Sequence, residues 1–127
     1  MKLENQVVSL ELAKKMFELG FKQGGHYWWR IYIKSNEATF TTDDYCKSNP
    51  KDYTHYVAYT VAELGEMLPI FINKDGHNWY WVQTITGEES FYLGYELDND
   101  AIEFVRGKTE TEVRAKMLIW LKENKSL

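Results

Sequence analysis

Cysteine is almost missing from this chain: Cys46 stands alone among 127 residues. A single thiol cannot form an internal disulfide, which fits a reducing compartment and leaves stability to the core. Proline is scarce as well, with Pro50 in a polar stretch and Pro69 at the end of a helical pattern. No apolar run approaches the roughly 18 residues that a membrane span needs. Met1 to Gln6 carries charge and amide where a signal peptide has its apolar segment. The chain is therefore expected to be soluble and cytoplasmic, with no membrane partner. A net charge of −4 argues mildly against a general nucleic-acid binder, whose basic surface displaces counterions, but leaves room for a local basic patch.

Catalytic and metal-binding patterns are lacking too. His26, His55 and His77 show no ligand spacing such as His-x-x-x-His, and each flanks an aromatic strand, so no metal or other cofactor is expected. Asp98-Asn99-Asp100 is not followed by the glycine and terminal glutamate of a calcium loop and reads as a turn. Cys46 has no evident base beside it, so it reads as a bystander thiol. Glu88 and Glu89 are adjacent, whereas acid–base pairs converge from different elements, so they read as a solvated turn. There is no phosphate-binding glycine loop and no nucleophile elbow. No catalytic residue is assigned, and the chain is read as a non-enzyme.

What the chain does have is length for one domain, 1–127, and many aromatics: 16% of residues, with 5 Trp and 9 Tyr. The strongest helical pattern is Thr109–Asn124. Thr109 and Glu112 have capping-box spacing, and Val113, Met117, Trp120 and Leu121 form one apolar stripe. Ala115 and Ile119 fall off that stripe, which makes them candidates for a homodimer contact. An earlier helix, Leu10 to Leu19, is capped by Ser9 and ended by Gly20, with Leu10, Leu12, Ala13, Met16, Phe17 and Leu19 on its apolar half. A short helix follows the second Thr-x-x-Glu, at Thr60 to Glu63, and runs through Leu68. Gly65 on its apolar face allows close backbone approach.

The strands alternate. In Tyr27 to Lys34, Tyr27, Trp29, Ile31 and Ile33 point one way as candidate core. Trp28, Arg30, Tyr32 and Lys34 point the other way. Ser35 to Asp52 reads as a polar loop with a short irregular strand near Ala38 to Thr42, and His55 to Tyr59 as another short strand. Ile70 to Asn73, Trp79 to Thr86, Phe91 to Leu97 and Ile102 to Val105 form a meander, with Asp75-Gly76 as its first hairpin turn. The expectation is an α+β domain: an antiparallel meander of about four to five strands, with two longer helices and one short helix packed mainly on one face.

Leu3–Lys15, Thr60–Pro69 and Arg114–Asn124 resemble segments of a group of small uncharacterised bacterial and prophage-borne proteins. That resemblance implies a mobile-element setting and carries over no activity, cofactor or catalytic residue.

The expected function is therefore a small non-catalytic binding or interaction protein, with a protein partner or a second copy of itself. Its candidate surface is the aromatic sheet face of Trp28, Arg30 and Tyr32, joined by Tyr80 and Tyr92 if register allows. Aromatic platforms serve as interface anchors. They also stack bases, so the alternative is a single-stranded nucleic-acid or nucleotide binder using Arg30 and Lys34. Half-burial of these aromatics for packing alone is the competing explanation.

Overall fold

A computed structural model describes residues 3–22, 25–42, 51–86, 90–98 and 100–126. Cys46 and the Glu88-Glu89 turn lie outside the described residues. The fold is α+β with two antiparallel sheets, and the chain divides into two compact units, Met1–Thr60 and Val61–Leu127. No helix among the described residues is long and apolar enough to cross a membrane.

In the first unit a short 3-10 turn, Leu3–Asn5, leads to α1, Leu10–Glu18. Ser9 caps α1 by accepting from the Leu12 N–H at 3.3 Å, and Gly20 follows its end with φ +86°. Strands β1 (Trp28–Tyr32), β2 (Glu37–Thr41) and β3 (Tyr53–Val57) form a sheet in the order β2-β1-β3. The short strand expected near Ala38 to Thr42 is β2, and it is regular and paired with β1 along its whole length. The Trp29 indole N–H donates to the Val8 carbonyl at 2.8 Å, and Phe17 of α1 meets Tyr56 edge-on at 5.3 Å. Those contacts place α1 on the Trp29–Ile31 face. Only Ala13 and Met16 of α1 are fully buried, while Phe17 is half exposed, so the buried stripe is narrower than the apolar half of the sequence.

The second unit opens with α2, Val61–Met67. Its sheet runs β4 (Phe71–Lys74), β5 (His77–Thr86), β6 (Ser90–Leu97) and β7 (Asp100–Gly107), each strand antiparallel to its neighbour. This is the expected meander. Helix α3, Glu110–Glu123, packs on α2, β6 and β7. Leu93 and Tyr95 of β6 are fully buried, together with Leu64, Val113, Met117, Leu118 and Leu121. Tyr95 Oη donates to the Pro69 carbonyl at 2.6 Å, and burial pushes its hydroxyl pKa above the usual phenol range. On β7 the Phe104 N–H donates to the Glu103 carboxylate at 2.9 Å, and Lys116 Nζ donates to the Arg106 carbonyl at 3.1 Å.

The Thr109 half of the α3 cap forms as its spacing predicts, while the carboxylate half lands on Lys108, one residue before the N-cap. Thr109 Oγ1 accepts from the Glu112 N–H at 3.1 Å, and Glu112 reaches back to the Lys108 N–H at 2.7 Å and to Lys116 Nζ at 3.0 Å. Burial pushes the Glu112 carboxyl up, but the Lys108 N–H and the Lys116 ammonium outweigh it, and the net pKa lies below the ordinary 4.5. A depressed carboxylate contributes stability that is complete above its unfolded pKa and is lost as pH falls through the folded value. Urea midpoints should therefore decline on acidification below about pH 5, and Glu112→Gln should flatten part of that decline. Identical pH profiles for the two proteins would remove the carboxylate from the account.

One expectation is corrected here. Ala115 has no exposed surface and Ile119 is 8% exposed. Both belong to the interior of the folded chain, so neither offers a homodimer contact. Val113, Ala115, Met117, Leu118, Ile119 and Leu121 are all buried, so α3 is covered on several sides and has no single stripe.

Candidate functional site

The second sheet has helices on one face and an open second face. In the first sheet α1 lies on one side, and the other side is buried at the Trp28 row and open at the Arg30–Tyr32 end. The residues singled out in the sequence divide between the two sheets. Trp28, Arg30 and Tyr32 share a face of β1, and register carries their neighbours onto it. Arg30 lies opposite Thr39 and His55, and Tyr32 lies opposite Glu37 and Tyr53. Trp28 is 3% exposed and packs edge-on against His55 at 5.4 Å, so it is a core residue, not a platform. Arg30 and Tyr32 do come together. Arg30 lies over the Tyr53 ring at 5.1 Å, and Tyr32 and Tyr53 are 5.4 Å apart with rings tilted by 51°. With Glu37 and Thr39 they line a cavity of about 320 Å³. Lys34 sits exposed in the turn beyond β1.

Tyr80 and Tyr92 belong to the other sheet and share its open face. The Asp75-Gly76 turn, with φ of +55° and +81°, sets Phe71 opposite Tyr80. Tyr80 faces Glu96, Val82 faces Gly94, and Gly94 faces Phe104. Phe71, Tyr80 and Phe104 are 46%, 49% and 47% exposed, and Val82 lies exposed among them. The Phe71 and Tyr80 rings are 5.7 Å apart, and Tyr92 stacks on Phe104 at 5.4 Å with a 24° tilt. Arg106 lies over the Phe104 ring at 5.7 Å.

Gly94 makes this surface flat. A Cβ there would stand 2.9 Å from Tyr92 Oη, so the tyrosine side chain lies across the glycine to donate to Glu96 at 2.8 Å. Partial burial and the Glu96 carboxylate raise the Tyr92 pKa, and the phenol keeps its proton. Trp79 and Trp81 alternate to the opposite, helix-covered face, where Arg114 lies 5.6 Å over Trp81.

Sequence reasoning missed Phe71, Val82, Phe104 and Tyr53. Phe71 had a signal, because a two-residue turn at Asp75-Gly76 sets it opposite Tyr80. Among the described residues no group of three or more His, Cys, Asp or Glu could hold a metal ion. No protein family, curated protein or solved structure matches the chain.

Proposed function

We propose that the chain is a small non-catalytic binding module whose open β4–β7 face receives a protein partner. The observation that supports this most is the row of half-exposed aromatics, Phe71, Tyr80 and Phe104, with Tyr92 held flat between them. Contiguous exposed apolar surface marks interaction sites more often than bare monomer surface. Aromatic anchors at such sites carry a large share of binding energy, since truncating one costs roughly 2 kcal/mol or more. A mobile-element setting is part of this proposal and rests only on the resemblance of the helical segments to prophage-borne proteins. The module's single cysteine suits a cytoplasmic setting.

The test compares proteins captured from the native host by the wild type and by a Tyr80→Ser, Phe104→Ser double variant. Both residues are half exposed, so the variant should keep its circular dichroism spectrum and melting temperature while losing the captured partner. Capture of the same proteins by both would sink the proposal.

Arg106 over Phe104, with Tyr92 stacked beyond, favours a second reading in which the same face stacks the bases of a single-stranded nucleic acid. Binding of a labelled oligonucleotide, followed by fluorescence anisotropy, would then weaken steeply with added salt. Absence of binding at low salt ends that reading.

A further inference from the structure

The cavity on the first sheet has a composition that selects a different kind of ligand. Its arginine is held by a ring and not by an acid: Arg30 lies over Tyr53 at 5.1 Å, and among the described residues its guanidinium has no carboxylate partner. A guanidinium that rests its flat face on an aromatic ring keeps its in-plane N–H donors available. Those donors match two oxygens of a phosphate or carboxylate side by side. The Thr39 hydroxyl lies directly across from Arg30 and adds a donor on the same side.

Glu37 lies one row along, opposite Tyr32, and it lines the same cavity. Among the described residues its carboxylate is not paired with Arg30 or any other base. A carboxylate in that position repels an extended polyanion but accepts hydrogen bonds from hydroxyl groups. Tyr32 and Tyr53 supply ring faces between the two charges. The volume, 320 Å³, is large enough to hold one small molecule, since ligand pockets begin at about 300 Å³.

We infer that this cavity binds a small phosphate monoester with hydroxyl groups near the phosphate, the chemistry shared by sugar phosphates and nucleoside monophosphates. Arg30 and Thr39 take the phosphate, and Glu37 takes a hydroxyl. This inference stands apart from the partner face, whose residues lie on the other sheet.

Isothermal titration of the full chain at low salt tests it, with ribose 5-phosphate, adenosine monophosphate, inorganic phosphate and ribose as probes. The two esters should bind at least about tenfold more tightly than phosphate or ribose. Arg30→Lys should weaken both esters by about tenfold, because an ammonium cannot grip two oxygens in one plane. Glu37→Gln should act in opposite directions, weakening ribose 5-phosphate while tightening inorganic phosphate. Both side chains sit on an open face, and circular dichroism confirms that each variant is folded. Tighter binding of adenosine monophosphate than of ribose 5-phosphate supports the inference with the base on the tyrosines. Equal binding supports it with the sugar phosphate as the whole recognised group. Esters that bind no better than inorganic phosphate, or that bind both variants as they bind the wild type, overturn it.

Discussion

Ile119→Lys should unfold the second unit and leave no well-behaved monomer to compare with a dimer. The side chain is 8% exposed on a helix whose Ala115, Leu118 and Leu121 have no exposed surface at all. Removing a buried isoleucine costs about 2–5 kcal/mol. The replacement adds an ammonium that must be dehydrated or must drag its stem to the surface, and an unpaired buried charge costs several kcal/mol more. Against a domain stability of about 5–15 kcal/mol the sum is decisive. Urea denaturation should show the unfolding midpoint collapse, with Ile119→Val as the control at about 1 kcal/mol. A folded Ile119→Lys protein that differs from wild type only in light-scattering mass would restore the dimer surface that burial removes.

Arg114→Ala should be the most damaging change to a charged residue, at about 2–3 kcal/mol, because its hydrogen bonds are made by an ion in a nearly enclosed place. Its side chain is 16% exposed. Nε donates to Gln83 at 2.9 Å on β5, Nη1 donates to the Val61 carbonyl at 2.8 Å on α2, and the guanidinium lies over Trp81. The Glu110 contact at 3.8 Å is longer and more exposed, and contributes little. One side chain thus joins the short helix, the long helix and the sheet. Gly65 is the complement of this arrangement: a Cβ there would stand 2.6 Å from Nη1. The glycine admits an arginine side chain and not a neighbouring backbone.

A change of sign follows. Gly65→Ala should destabilise the wild type by displacing the guanidinium. In the Arg114→Ala background the clash is gone, and alanine's helix propensity should stabilise by up to about 1 kcal/mol. Thermal melts of the four proteins decide it. A Gly65→Ala effect of the same sign in both backgrounds would mean that the guanidinium moves aside freely.

These two residues also show where the sequence was legible. Helix starts were, because caps are local: Ser9 and Thr109 accept the N–H groups their spacing predicts. The β4–β5 hairpin was as well, since Asp75-Gly76 is a two-residue turn that fixes every pair beyond it. The surroundings of α3 were not, because a wheel with apolar residues on several sides can be read as stripe plus surplus until the covering elements are known. Trp28 and Trp29 posed a similar problem. Both are aromatic, one is buried and the other half-buried, and alternation alone says only that they point opposite ways.

The candidate face turned on a feature with no sequence signature. Leu97 pairs with Asp100 and Glu96 with Ala101, but Tyr95 pairs with Glu103, so Ile102 is an extra residue in β7. An unbroken ladder would have set Phe104 opposite Leu93, facing the core. The bulge moves it opposite Gly94 and onto the open side. Nothing in Asp-Ala-Ile-Glu-Phe announces that slip, and without it the aromatic row would lose Phe104.

The two side-chain bonds on β7 limit how any partner can approach. Phe104 N–H and Arg106 C=O point away from β6 at the outer strand of the sheet, where an incoming strand would seek its first ladder bonds. Glu103 and Lys116 already occupy them. A foreign strand must displace a carboxylate from one and an ammonium from the other before it gains a bond. This guards the strand against lengthwise pairing with another chain, the first step toward swapped or fibrous assemblies. It leaves the flat of the sheet as the easier approach, so recognition there rests on side chains and shape more than on backbone.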